Sequence, residues 1–304
     1  MAGSLKGLRE IVFAEMVRGN LGAYGVRPWL GRGQLSAADG DFFTGIFMPT
    51  TAITGSASGI GAATAALLRA NGHRLITVDM RDADLLADLS TPVGRRGALA
   101  QVLGSCDGRL DGLVLCAGLG AQVDPASLVV SVNYFGAVEL LDGLLPALQK
   151  GQSPAAVVVS SVASAHLPWD KNPLGAHLEA GEEEKAQAVV MAAGARGGNL
   201  AYAGSKNALT VAVRRRAAAW GAAGVRLNTV APGATETPLL QAGLQDPRYS
   251  EAIKNFTAPI ARRADASEVA SVIGFLMGSG ASFVHGAQFH VDGGIDAVYR
   301  PTQF

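Results

Sequence analysis

The chain has 304 residues, of which 49% are hydrophobic and 16% charged, and its 25 basic residues balance 25 acidic ones. The zero net charge provides no basic field for nucleic acid, so we expect no nucleic-acid partner. The sequence has no run of apolar residues long enough to cross a bilayer, so we expect neither a spanning helix nor a membrane partner.

Residues 1–47 carry no motif that indicates an activity. Leu5–Val17 could form a short amphipathic helix, and its apolar stretch Ile11–Ala14 is too short for a signal-peptide core. We expect an N-terminal extension, disordered or produced by an upstream start codon, before a domain at 48–304; a regulatory or targeting role is the alternative. The two cysteines fit cytosolic thiols and a cytoplasmic protein.

The first element with a recognisable role is a strand, a glycine loop and a helix. Thr50–Thr54 is rich in β-formers, and the helix formers Ala62–Ala70 follow the loop. Glycine lets the backbone approach a pyrophosphate, and a helix N-terminus offers free N–H groups. The candidate cofactor contacts in the loop are Gly55, Ser58, Gly59, Ile60 and Gly61. An ordinary glycine-rich turn is the alternative for such a motif alone.

The next predicted strand, His73–Asp79, ends in an acid 24 residues after the first glycine of the loop. A carboxylate about 20 residues after that glycine binds the adenosine ribose in dinucleotide-binding folds, and it repels a 2′-phosphate. Ser58 and Met80 supply no cation for such a phosphate, so we expect NAD and not NADP. Arg81 could swing toward a phosphate, and a solvated strand-end carboxylate is the alternative role for Asp79.

Two further apolar runs, Asp111–Gly118 and Ala155–Ser161, predict strands that are buried on both faces. Between them, Val132–Gly136 is predicted to open a helix that runs to about Lys150. The alternation of strands and helices predicts an α/β fold, a Rossmann-type doubly wound parallel β-sheet with helices on both faces. Ligands bind beyond the carboxyl ends of such strands, where Cys116, Ala117 and Gly118 are expected.

Tyr202 and Lys206 are four residues apart, so on a helix they share one face. A neighbouring ammonium favours the phenolate and lowers the tyrosine pKa from its ordinary value near ~10. Such a phenol exchanges protons near neutral pH, as a general acid or base does. An isolated pair is weak evidence, because surface helices often carry it.

Over roughly residues 48–304 the chain resembles the short-chain dehydrogenase/reductase family. The motifs that carry the resemblance are, in chain order, T-G-x-x-x-G-x-G (Thr54–Gly61), C-A-G (Cys116–Gly118), Asn133, the paired serines Ser160 and Ser161, Y-x-x-x-K (Tyr202–Lys206), the strand and Pro-Gly turn Asn228–Gly233, and D-G-G (Asp292–Gly294). The resemblance implies a single NAD-binding domain that oxidises an alcohol or reduces a ketone.

The resemblance also implies roles for individual residues. It implies four catalytic residues, namely Ser161, Tyr202, Lys206 and Asn133. The family places the catalytic hydroxyl at the second serine, so Ser160 is expected to be packed. Asn133 is implied to perturb its helix and to help hold a water near the lysine; capping a helix start is the alternative. Further implied cofactor contacts are Asp88, Leu89, Pro232, Gly233 and Thr235, with Tyr202 and Lys206, and no metal is implied.

Longer stretches, such as Ser160–Leu167 and Gly198–Thr210, resemble a group of bacterial 3α-hydroxysteroid dehydrogenase/carbonyl reductases in this family. This implies an NAD(H)-dependent oxidoreductase of steroid catabolism that interconverts 3α-hydroxysteroids and 3-oxosteroids and reduces other ketones and aldehydes. A general carbonyl reductase and a dehydrogenase for another steroid position are the enzymatic alternatives. A non-catalytic NAD-binding sensor is a third, although a sensor has no need for all of the catalytic residues.

Ser161 lies 41 residues before the candidate tyrosine, a longer separation than is common in the family. The extra segment, 162–198, is predicted to contain a helix at Glu179–Ala193 with Glu182–Lys185 on its solvated face. The group that the chain resembles carries such an insertion, associated with a homodimer. We therefore hypothesise that 162–198 forms homodimer contacts or a lid over a small-molecule steroid or carbonyl substrate. Apolar residues in it and after Gly233 suit a flat substrate, although such residues are usually core.

Overall fold

A computed structural model of the protein describes residues 48–303; the predictions for residues 1–47 lie outside the described residues. The strands are β1 (Thr50–Thr54), β2 (Arg74–Asp79), β3 (Leu85–Leu86), β4 (Gly112–Leu115), β5 (Ala155–Val159), β6 (Arg226–Pro232), β7 (Thr235–Glu236), β8 (Ala264–Asp265) and β9 (Gln288–Val291). Seven of them form one sheet in the order β3-β2-β1-β4-β5-β6-β9, and every neighbouring pair is parallel. This confirms the predicted doubly wound parallel sheet.

The described residues also form α-helices, some of which pack against each face of the sheet. They are α1 (Gly59–Ala70), α2 (Pro92–Ser105), α3 (Ser127–Val130), α4 (Gly136–Leu148), α5 (Gly175–Glu179), α6 (Glu183–Ala192), α7 (Gly197–Ala222), α8 (Pro238–Gln245), α9 (Ser250–Asn255), α10 (Ala266–Met277) and α11 (Ile295–Tyr299). Helix α7 carries Tyr202 and Lys206, as predicted.

The core consists of two apolar layers, one on each side of the sheet. Along β4, Leu113 faces one layer and Val114 the other, because successive strand residues point to opposite faces. The larger layer contains side chains from α2, α4, α5, α6 and α7, and the smaller one contains side chains from α1 and α10. The strands are buried on both faces, which explains their continuous apolar runs.

The helix predicted to open at Val132 begins earlier, at Ser127, and ends at Leu148. A π-helical turn, Ser131–Phe135, joins α3 to α4, and such turns often occur at functional sites. Ser127–Leu148 is also long and apolar enough to cross a membrane by length and composition, contrary to the expectation from the sequence. However, 61% of that apolar window is buried inside the fold, so we interpret it as a core helix.

The segment 162–198 contains two helices where one was predicted. Helix α5 ends at Glu179 and α6 begins at Glu183, because Gly181 takes a positive φ of +72° that ends the first helix. Both helices bury apolar side chains in the larger core layer, including Leu178 and Val190. The segment is therefore an integral part of the fold, and its Leu174 and Leu178 are core residues.

Candidate functional site

The carboxyl ends of the central strands open into a cavity of about 560 Å³. It lies where the strand order reverses between β1 and β4, which is where ligands bind in doubly wound sheets. All of the expected cofactor contacts line it, together with three of the four expected catalytic residues, Ser161, Tyr202 and Lys206. The fourth, Asn133, is not among the lining residues.

The glycine loop forms one wall of the cavity and is pressed against the end of β4. Gly55 has a φ of +69°, and a Cβ added to it would lie 2.6 Å from the backbone nitrogen of Ala117. A Cβ on Gly61 would overlap the carbonyl oxygen of Gly55. Helix α1 starts here with no side-chain cap from Ser58 and no acid in its first turn. Its free N–H groups and the bare backbone fit a pyrophosphate.

Asp79 ends β2 beside this loop. One of its carboxylate oxygens accepts a hydrogen bond from the backbone nitrogen of Ala57 at 2.9 Å, and the other accepts one from that of Met80 at 2.7 Å. The carboxylate is thus fixed to the glycine loop at the edge of the cavity. Arg81 is exposed and is absent from the cavity lining, so among these lining residues no arginine stands beside Asp79.

The paired serines after β5 have different surroundings, as the alternation of strand side chains requires. The Ser160 hydroxyl is buried between the Lys206 carbonyl oxygen at 3.2 Å and the Thr210 hydroxyl at 2.7 Å. Ser161 begins a short 3₁₀ turn, and its hydroxyl accepts a hydrogen bond from the Ala163 backbone nitrogen at 3.2 Å. Ser160 is therefore packed, as expected, and ties the sheet to α7.

Lys206 is 4% exposed, and its ammonium donates a hydrogen bond to the carbonyl oxygen of Val159 at 2.8 Å. Burial lowers the pKa of Lys206 to about 8, and the nearby Cys116 opposes this shift. At neutral pH the group is therefore mostly protonated. The backbone at the end of β5 holds it in the cavity next to the loop that follows β4.

The expected lowering of the Tyr202 pKa is wrong for the protein alone. Burial raises the pKa of this phenol above its ordinary value, and the Ser161 hydroxyl, which interacts with it, lowers the pKa by a smaller amount. Burial outweighs any lowering by the charge of Lys206, whose ammonium donates its hydrogen bond to the Val159 carbonyl oxygen. Helical spacing correctly predicted a shared face but not the direction of the shift.

Asn133 lies inside the π-helical turn, six residues beyond the start of α3, so the capping alternative is wrong. Its side chain is fully buried and spans the backbone of Leu119: Oδ1 accepts from the Leu119 nitrogen at 2.7 Å, and Nδ2 donates to the Leu119 oxygen at 3.0 Å. A Cβ on Gly118 would lie 3.3 Å from Asn133 Oδ1 and 3.4 Å from Lys206 Nζ. Asn133 therefore lies behind the cavity wall, close to the lysine.

Comparison with known proteins explains this arrangement. A family model described as short chain dehydrogenase matches residues 49–173, and one described as enoyl-(acyl carrier protein) reductase matches residues 185–296. A 3-alpha-hydroxysteroid dehydrogenase/carbonyl reductase of Comamonas testosteroni is 68% identical over 257 residues, covering 84% of this chain and 100% of that protein. The chain belongs to the short-chain dehydrogenase/reductase family.

Other members of the family are also similar over most of the chain. The crystal structure of a 3-alpha-hydroxysteroid dehydrogenase from Pseudomonas sp. B-0831, complexed with NADH, has a TM-score of 0.82 and 51% identity, and covers 84% of this chain and 100% of that one. A coniferyl-alcohol dehydrogenase from a Pseudomonas species is 34% identical over 261 residues, covering 81% of this chain and 96% of that protein.

The short-chain dehydrogenase cavity also has an apolar wall that the sequence did not assign. It consists of side chains from the loop after β4, the start of α3 and its π-helical turn, and the start of α8: Leu119, Val123, Leu128, Val132, Leu239 and Leu240. The two residues from α8 belong to the apolar residues after Gly233 that the sequence analysis considered suitable for a flat substrate. The other four carry no local signal, because scattered leucines and valines are usual in any core.

Two further expectations concern groups around the site. Of the described residues that line the cavity, none belongs to 162–198, so the structure gives no support to a lid. Within residues 48–303 there is also no group of three or more histidine, cysteine or acidic side chains placed to hold a metal ion.

Proposed function

We propose that the protein is an NAD(H)-dependent oxidoreductase that interconverts 3α-hydroxysteroids and 3-oxosteroids and also reduces other ketones and aldehydes. One observation carries the proposal: Ser161, Tyr202 and Lys206 line the same cavity as the glycine loop and Asp79. A sensor needs only the nucleotide part of such a cavity. The steroid as substrate class is supported by the 68% identity to the Comamonas enzyme.

The dinucleotide would be held by the backbone of the glycine loop and by Asp79. The start of α1 has no competing acid, so its N–H groups are available to the pyrophosphate. The Asp79 carboxylate, fixed by two backbone nitrogens, would accept hydrogen bonds from the adenosine ribose and repel a 2′-phosphate. When bound, NAD⁺ supplies the hydride acceptor and NADH the hydride donor of a reversible alcohol oxidation.

The substrate oxygen would lie between the hydroxyl groups of Ser161 and Tyr202. In alcohol oxidation Tyr202 accepts the hydroxyl proton, and in ketone reduction it returns that proton. Ser161 donates a hydrogen bond to the same oxygen and stabilises the charge that develops there. Lys206 supplies a positive charge one helical turn from the phenol. We propose that Asn133 and a water continue the proton path behind Lys206.

The direction of the Tyr202 pKa shift favours the protonated phenol as the starting state. Burial raises the pKa of Tyr202, so the phenol is protonated at neutral pH and is ready to donate to a ketone oxygen. Alcohol oxidation needs the phenolate and is therefore expected to speed up as the pH rises. The apolar wall fits a flat substrate, since such surface stabilises a hydrocarbon skeleton and offers no hydrogen bonds to water.

The deciding experiment measures NADH formation at 340 nm with NAD⁺ and either androsterone or its 3β epimer, and repeats both with NADP⁺. We expect turnover of the 3α epimer, with NAD⁺ preferred. Turnover of the 3β epimer alone would reverse the stereochemical assignment at carbon 3. No turnover of either epimer, but NADH formation from a steroid alcohol at another carbon, would move the enzyme to another hydroxysteroid position. Reduction of simple ketones with NADH but no steroid turnover would make it a general carbonyl reductase.

We further propose that the protein is a cytoplasmic homodimer. Strand β9 is an edge strand of the sheet with all four residues half-buried, and Phe283, just before it, is fully exposed. Phe275 on α10 is 49% exposed. Exposed aromatic side chains beside an open sheet edge support pairing with a second copy. Light scattering of the purified protein tests this, and a monomeric mass would contradict it.

A further inference from the structure

Arg95 is a buried charge outside the catalytic residues. It lies in the first turn of α2, and its side chain is 1% exposed. Arginine is almost never fully buried unless it is paired, so its partners indicate what it does. They come from three parts of the molecule: the loop before α2, the segment 162–198, and the π-helical turn with the start of α4.

Toward the cavity, Arg95 binds backbone. Its Nη1 donates to the carbonyl oxygen of Leu89 at 3.3 Å and to that of Ser90 at 3.4 Å, and both residues line the cavity. The same loop is pressed between two helix starts: a Cβ on Gly94 would overlap the Asp88 carbonyl oxygen, and a Cβ on Gly136 would lie 3.2 Å from Leu89 Cβ. Residues 87–90 are thus held from behind.

Away from the cavity, Arg95 binds carboxylates. Glu183, at the start of α6, forms a two-point pair with it, Nη1–Oε1 at 3.2 Å and Nη2–Oε2 at 2.5 Å. Glu139 lies 2.9 Å from Nε, and the guanidinium stands over the Phe135 ring with its central carbon 5.7 Å from the ring centroid. A two-point arginine–carboxylate pair fixes the plane of the guanidinium.

The expectation that Glu182–Lys185 form a solvated face is therefore wrong for one residue. Glu183 is only 17% exposed, and it shares the inner face of α6 with Ala186 and Val190, three and seven residues further along. Glu184, the next residue, is exposed. Helical geometry turns one acid of the run inward, where it meets the buried cation.

We propose that Arg95 is a positioning residue for the nucleotide end of the cavity and that Glu183 orients it. Through this pair the segment 162–198 sets the affinity for the dinucleotide without touching it. The proposal rests on the proposed NAD(H) function. Without the Glu183 charge, the two-point pair that fixes the plane of the guanidinium is lost and only Glu139 remains as a charged partner, so the Leu89 and Ser90 carbonyl groups lose a fixed donor. The loop 87–90 then samples more conformations before cofactor binds.

The test compares Glu183→Gln with Glu184→Gln, which removes the same charge from an exposed neighbour. NADH dissociation constants are measured by fluorescence titration, with KM for NAD⁺ and kcat from steady-state rates. We expect Glu183→Gln to raise the NADH Kd about threefold to tenfold, which corresponds to about one hydrogen bond of positioning. KM for NAD⁺ should rise with Kd while kcat at saturating NAD⁺ changes less than twofold, and Glu184→Gln should change neither.

Each other outcome is decisive. An unchanged Kd in Glu183→Gln, with or without a lower melting temperature, would reduce the pair to a purely structural role and overturn the proposal. Arg95→Lys, which keeps the charge but loses the planar fork, should weaken NADH binding at least as much; if it fails to fold, Glu183→Gln decides alone. A wild-type protein that does not bind NADH would instead refute the proposed function.

Discussion

The two ends of the cavity are built in opposite ways. At the reaction end, functional side chains are held by backbone: Val159 and Leu119 present peptide groups to Lys206 and Asn133. At the nucleotide end, functional backbone is held by side chains: Asp79 fixes the glycine loop, and Arg95 fixes the loop 87–90. The supports are thus backbone groups at one end and side chains at the other, and among these side chains Asp79 also has a proposed contact of its own to the adenosine ribose.

This difference predicts how the two ends respond to substitution. A change at the reaction end removes a reacting group while its support persists, so it should mainly lower kcat. A change at the nucleotide end loosens a backbone that still carries its N–H and C=O groups, so it should mainly raise Kd or KM. The variants below are ordered from the largest expected effect to the smallest.

Tyr202→Phe removes the proposed acid and base. We expect kcat for steroid oxidation to fall by about a hundredfold to ten-thousandfold, the usual contribution of general acid–base catalysis. The NADH Kd should change little, because the ring remains. Tyr299→Phe, at a tyrosine that is 64% exposed, is the matched control. Full activity in Tyr202→Phe, measured at 340 nm, would remove the proposed mechanism.

Ser160 and Ser161 are adjacent, so their substitutions compare a packed hydroxyl with a proposed catalytic one. Ser161→Ala should lower kcat by about a hundredfold, as the loss of one donor to a developing oxyanion does. Ser160→Ala should leave kcat nearly unchanged but lower the free energy of unfolding by about 1 kcal/mol, because its hydroxyl bonds Lys206 and Thr210. Rates and urea unfolding of both variants test this, and reversed effects would exchange the two assignments.

Lys206 links catalysis to stability through pH. Burial lowers its pKa to about 8 from an ordinary 10.5, so below pH 8 the fold buries a charge at a cost. Between these values the unfolded chain retains a proton that the folded protein has released, so stability rises with pH. Relative to Lys206→Met, wild-type protein should gain about 2 kcal/mol in unfolding free energy from pH 7 to pH 10. Urea unfolding at both pH values measures the difference in unfolding free energy between the two proteins. The same difference at pH 7 and at pH 10 would contradict this prediction.

Asp79→Asn tests the nucleotide end directly. The amide keeps the shape of the side chain but removes the charge that repels a 2′-phosphate, so the preference for NAD⁺ over NADP⁺ should fall about tenfold, or 1.4 kcal/mol. The ratio of kcat/KM for the two cofactors measures it, and kcat itself should change little. Asp82→Asn, at an exposed acid in the following turn, is the control. An unchanged ratio would mean that another group selects the cofactor.

Much of the fold followed from local patterns. The boundaries of β1 and β2 were predicted to within one residue, because both are short runs rich in β-formers that have glycine at one end. The helix after β4 was placed five residues late, since nothing in Ser127–Ser131 marks a start by capping. The break between α5 and α6 was missed because one glycine inside a helical pattern is often tolerated.

The sequence by itself determined which groups are present: the glycine loop, an acid after β2, the paired serines, and a tyrosine and lysine one turn apart. These groups can be recognised from the spacing of residues within single strands, loops and helices. Only the tertiary structure decided their electrostatics and supports, because these depend on neighbours far away in the chain. Lys206 donates to the Val159 carbonyl, burial sets the direction of the Tyr202 pKa shift, and Arg95 meets Glu183 across 88 residues. Burial and ion pairing are set by packing, which no local pattern contains.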